Sequence, residues 1–135
     1  MWLQQVGGFK PGSYVDQISV DLAVGSVTHT ISSLPFQPSS CICLGAISGG
    51  NAAVSLGFAA INDVIGSSQG CVYNNHNAVA AQWLTNPNYL GMLVMSAGNV
   101  GYWHSLVYGP SSLTFTYDKT GTPTGTAVLN FMINK

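Results

Sequence analysis

The chain has 135 residues, 47% of them hydrophobic but only 5% charged: three Lys and four Asp, with no Arg and no Glu. Ordinary soluble domains carry about 25% charged residues, so this surface must be built from Ser, Thr, Asn, Gln, Gly and some apolar side chains. Lysines scattered at 10, 119 and 135 cannot neutralise a run of phosphates, which argues against nucleic acid as a partner; no stretch reaches 18 apolar residues, which argues against a membrane helix.

In chain order, 1–14 reads as an N-terminal extended arm and 15–135 as a single domain. Trp2, Leu3, Val6 and Phe9 are apolar, but Gly7-Gly8 and Pro11-Gly12 break any period. An apolar arm of this kind needs a surface to pack on, either its own domain or a neighbouring subunit, and the neighbour is the expected one. The amino terminus lacks the basic and apolar regions of a signal peptide, which points to assembly in a reducing cytoplasm.

Gln17–Val24 alternates, with Ile18, Val20, Leu22 and Val24 inward. Val27–Leu34 follows, with Val27, His29 and Ile31 on one face. Pro35 and Pro38 bracket Phe36 and enforce an extended approach to the most apolar part of the chain. Ser39–Ile47 is a nearly continuous apolar run, read as a buried strand. Gly49-Gly50-Asn51 supplies a hairpin turn. Ala52–Ala60 then alternates, with Val54, Leu56, Phe58 and Ala60 on one face and the small Ala53, Ser55, Gly57 and Ala59 on the other. The small face suits close approach by another backbone or a second packed layer.

Ile61–Gly70 reads as a loop, Cys71–Tyr73 as a short strand, and Asn74–Asn77 as a polar loop tip. Ala78–Leu84 is read as a strand, with a helical turn as the alternative. Leu90–Met95 is a buried strand. Val100–Tyr108 alternates Val100, Tyr102, His104, Leu106 and Tyr108 against Gly101, Trp103, Ser105 and Val107. Leu113–Tyr117 is a strand, Asp118–Gly125 a long loop, and Ala127–Ile133 the closing strand, with Ala127, Leu129, Phe131 and Ile133 inward. Eight to ten short strands and no helix make an all-β fold, an antiparallel two-sheet β-sandwich of jelly-roll-like type.

Enzyme chemistry finds little support. Gly66-Ser67-Ser68-Gln69-Gly70 matches the nucleophile-elbow spacing, but a strand-like segment follows it where that motif needs a helix. The four Asp are dispersed, and no pair has acid–base spacing. Cys41, Cys43, Cys71 and His76 have the ligand types of a zinc site but not a compact spacing. Three cysteines are an odd number for a disulfide framework, and free Cys in an apolar run behaves as a small hydrophobe. No catalytic residue, metal or cofactor is therefore expected. Trp83, Tyr89 and Trp103 are the candidates for an aromatic platform that stacks on a sugar ring, against a core or interface role for the same rings.

The low charge suits a protein whose surface is covered by neighbours; an extracellular sandwich with a Ser/Thr/Asn-rich surface is the other reading. The segment Leu34–Ala60 resembles a motif of small virion proteins of tailed bacteriophages. Its features are Phe36-Gln37-Pro38, a buried strand over Cys41–Ala46, Gly49-Gly50, and Ser55-Leu56-Gly57-Phe58-Ala59. Leu113–Ile133 is similar to those proteins in layout, and after Ala60 the chain departs from the pattern. The resemblance implies a structural β-sandwich on a phage particle, located in the virion and assembled in the host cytoplasm. It implies a capsid decoration (cement) protein that forms a homo-oligomer, a trimer among the options, and contacts the major capsid protein, with Trp2, Leu3, Val6 and Phe9 as intersubunit anchors. The alternative is a receptor-binding or carbohydrate-binding module of a tail or head fibre, with Trp83, Tyr89 and Trp103 on a glycan.

Overall fold

The computed structural model describes residues 12–48, 53–62, 66–75, 82–96 and 98–135. The arm residues Trp2, Leu3, Val6 and Phe9, the Gly49-Gly50-Asn51 turn and His76 lie outside them. Ten strands form: β1 (Ser13–Asp21), β2 (Val27–Ile31), β3 (Ser40–Ser48), β4 (Val54–Asn62), β5 (Gly66–Asn75), β6 (Gln82–Asn86), β7 (Gly91–Ser96), β8 (Asn99–Tyr108), β9 (Leu113–Thr120) and β10 (Thr126–Asn134). Ser13 and Tyr14, read from sequence as the end of the arm, are the first residues of β1 and pair with Asn134 and Ile133 of β10.

The strands make a β-sandwich of six and four strands. The larger sheet runs β1-β10-β3-β4-β5-β6 and the smaller β7-β8-β9-β2. Every ladder within each sheet is antiparallel. The sheets are joined by one parallel pair, Asn75 of β5 with Val94 of β7. One side of the sandwich is thus closed by β5 and β7, while β1 and β2 leave the other side open.

The core lies between the layers. Cys41 and Cys43 of β3, Ala59 of β4 and Leu129, Phe131 and Ile133 of β10 face Leu93, Trp103, Leu113, Phe115 and Tyr117 of the smaller sheet. Phe115 and Phe131 meet across the layers with ring centroids 5.1 Å apart. Two buried polar groups stitch the layers together. Ser55 Oγ accepts the Met92 N–H at 3.0 Å and donates to the Val72 carbonyl at 3.4 Å. The Tyr117 hydroxyl donates to the Leu22 carbonyl at 3.0 Å, which anchors the turn after β1.

Further sequence expectations change. The loop expected over Ile61–Gly70 is strand at both ends: Ile61 and Asn62 close β4 and Gly66–Gly70 open β5, with Gly66–Ser68 pairing to Asn62–Ala60, and Asn74 and Asn75, expected in a loop tip, close β5. Backbone pairing needs no side-chain propensity, so a Ser/Gly segment can hold a ladder whose partner strand is firmly packed. Asp118–Thr120, expected in a loop, extends β9 against β8. Val24, expected inward, is exposed, because β1 ends at Asp21 and Val24 belongs to the turn.

In β8 the alternation itself breaks. The register against β9 shifts between His104 and Val107, and Ser105 adopts φ 55°. Such a bulge moves every later side chain to the other face. Trp103 therefore points inward before it, and Leu106 and Tyr108 pack against the core after it, while Val107 is exposed.

Candidate interaction surface

The small face of β4 is the buried one. Ala53, Ser55, Gly57 and Ala59 point into the sandwich, and Leu56 and Phe58 point out, 50% and 58% exposed. The reason is steric. A Cβ at Gly57 would overlap the Leu90 carbonyl oxygen, so the backbone leading into β7 lies directly on β4 there. Leu90 is held in that position by its N–H, which donates to the Trp103 carbonyl at 2.9 Å. The large face of β4 is left for the outer surface of the six-stranded sheet.

That surface is organised in rows by the strand register. One row runs Val15–Met132–Ile42–Phe58–Gly70 across β1, β10, β3, β4 and β5. The Phe58 ring covers Gly70; a Cβ there would sit 3.3 Å from Phe58 Cζ. The next row runs Gln17–Asn130–Leu44–Leu56–Val72–Thr85 and reaches β6. Trp83, 62% exposed, stands one row further along β6, paired with Asn74. Val15, Ile42, Leu44, Leu56, Phe58, Val72, Trp83 and Met132 are all exposed hydrophobics. Beside Phe58 is a shallow hollow of about 280 Å³, floored by Gly70 and Val72 and walled by Thr85 and Pro87. Polar groups gather at the β1 margin, where Gln17 Nε2 donates to Asn130 Oδ1 at 2.7 Å.

Five of the six strands, β10, β3, β4, β5 and β6, contain no charged residue at all. The two carboxylates of the sheet, Asp16 and Asp21, lie on the marginal strand β1. Single exposed apolar residues are ordinary, but a contiguous apolar patch on this scale marks an interaction site.

The outer face of the smaller sheet is different. Thr30 and Thr114 hydroxyls lie 3.0 Å apart across β2 and β9. Tyr89 stacks on Tyr102 at 4.6 Å, and both rings approach His104. The sugar-platform residues are not brought together as expected. Trp103 is completely buried in the core, Tyr89 packs on the smaller sheet, and Trp83 stands on β6 of the larger one. Trp103 is excluded from any surface role because the β8 bulge lies after it rather than before it.

The cysteines line the inner face. Cys43, Gly57 and Cys71 occupy one row across β3, β4 and β5, with Cys41 two residues from Cys43. All three are free and buried. Burial pushes the Cys41 thiol up to about 12 and raises Cys43 and Cys71 as well. Tyr108 and Trp103 lie beside these thiols without a well-aligned hydrogen bond. Among the described residues, no three His, Cys, Asp or Glu converge as metal ligands. The thiols should thus stay protonated and unreactive at pH 8. A thiol-reactive chromogen is expected to label none of them rapidly in the native protein and all three in denaturant; rapid native labelling would contradict the buried placement.

No family model matches the chain, and comparisons with characterised proteins and with solved structures find no match either.

Proposed function

We propose that the protein is a non-enzymatic structural subunit of a tailed-bacteriophage particle, a capsid decoration protein that stabilises the shell by burying apolar surface against its neighbours. One observation carries this reading. The outer face of the six-stranded sheet is apolar and uncharged over five strands. A face of that kind is poorly suited to stay in water and well suited to be covered in an assembly. The motif-level resemblance of Leu34–Ala60 to phage virion proteins names the kind of assembly. Partners under this reading are further copies of the chain and the major capsid protein, with Trp2, Leu3, Val6 and Phe9 of the arm as additional intersubunit contacts.

The test is addition of the purified protein to empty capsids of the phage that encodes it, followed by sedimentation. Binding at a saturating, fixed copy number is expected, with shells that resist heat better. Failure to co-sediment, together with binding to whole host cells, would replace this reading with the receptor-binding module.

A further inference from the structure

We infer that the outer face of the six-stranded sheet is a contact between two copies of this chain, packed face to face about a twofold axis. The inference rests on the assembly reading above and names the partner that covers this surface.

Charge is the first reason. In a twofold contact each patch meets itself, so any charge near the axis faces its own like charge. Most surfaces fail that condition. This one meets it, because β10, β3, β4, β5 and β6 carry no charge and Asp16 and Asp21 sit on the marginal strand. The second reason is shape. The face carries both a projection, Phe58, and a hollow beside it over Gly70, walled by Thr85 and Pro87. A patch that pairs with itself needs both features at once. With the axis running along the strands between β4 and β5, Phe58 of one copy can enter the hollow over Gly70 of the other, and Leu56 of each copy faces Val72 of its partner. The third reason is size. Strands about 4.8 Å apart and same-face residues about 7 Å apart along each strand give a footprint on the order of 600 Å² per copy. Doubled, this reaches the lower bound of specific interfaces, roughly 1,200 Å² in total. Phe58 in the centre and the amide side chains of Gln17 and Asn130 at the β1 margin match the usual layout of a core and a polar rim.

The experiment is sedimentation equilibrium of the full chain, beside Phe58→Lys and Leu56→Lys. Both side chains point to solvent in the single chain, so the variants should keep the wild-type circular dichroism and melting behaviour when dilute. The wild type is expected to form a dimer, and each lysine to weaken it by about 30-fold or more, since each places two like charges beside the axis at an apolar centre. Val107→Lys, at an exposed position on β8, should leave the dimer unchanged. A monomeric wild type would overturn the inference, as would an oligomer indifferent to both lysines. If removal of residues 1–11 converts a monomer into a lysine-sensitive dimer, the arm is the occupant and the inference again fails. Capsid co-sedimentation is read separately. A monomer that still adds to capsids leaves the decoration reading standing, and a lysine-sensitive dimer that ignores capsids removes that reading alone.

Discussion

Gly57→Ala is expected to destabilise the fold by about 4 kcal/mol or more, a change in the exceptional range for one methyl group. Replacing Gly by Ala within a strand would by itself help by roughly 0.5–1 kcal/mol, because glycine loses the most backbone freedom on folding. The opposite sign follows from position. The added Cβ would overlap the Leu90 carbonyl oxygen, which belongs to backbone and cannot rotate away. Relief requires β7 to move off β4. That movement strains the Ser55–Met92 hydrogen bond, 3.0 Å long, and the Leu90–Trp103 bond that ties β7 to β8. Thermal melting is the check, with a fall of about 12 °C or more for a domain of this size. Gly70→Ala is the control. Its Cβ would press on the Phe58 ring at 3.3 Å, an exposed side chain that can swing aside, and would reach the Asn86 carbonyl oxygen at an ordinary contact distance of 3.6 Å, so a change within about 1 kcal/mol is expected. Equal melting of the two variants would refute the close approach of β7 to β4.

Trp103→Ala should cost about 4–5 kcal/mol, the upper part of the range for deleting a buried aromatic. Trp103 is fully buried, and its ring lies over two glycines, Gly91 opposite it in β7 and Gly45 of β3 in the facing sheet. Neither can lean into the vacated space, so the cavity stays open. The same geometry predicts the sign of the coupling. Gly91→Ala alone is destabilising, because its Cβ falls within the indole. In the Trp103→Ala background the clash is gone and the same substitution becomes neutral or favourable. A double-mutant cycle by urea unfolding should therefore give a coupling of about 2 kcal/mol. Additive effects would show that the ring is not seated on Gly91.

Both effects arise at glycines whose importance is invisible without the facing layer. Alternation in Ala52–Ala60 shows that one face is small and the other large. Alternation cannot say which face is covered when both are uncharged, since a strand only defines two sides. The backbone of Leu90 decides it. It needs a partner with no side chain at Gly57, so the small face turns inward and Leu56 and Phe58 turn out. The apolar surface was thus present in the sequence as residues, but not as a surface. Trp103 shows the same limit more sharply. Its side of β8 depends on a bulge at Ser105, and no residue pattern between His104 and Val107 announces the shift.

The all-β class, the strands around Ile18–Val20, Val27–Ile31, Leu113–Tyr117 and Ala127–Ile133 with their inward residues, and the near absence of charge were legible in the residues alone. These follow from local period and composition, which each segment carries regardless of its neighbours. The order of strands in each sheet, the strand character of Gly66–Gly70, the burial of Trp103, and the gathering of β10, β3, β4, β5 and β6 into one uncharged outer face came from the fold. Each of these depends on contacts between residues far apart in the chain, where the energy lies in which surfaces meet rather than in what any segment prefers alone.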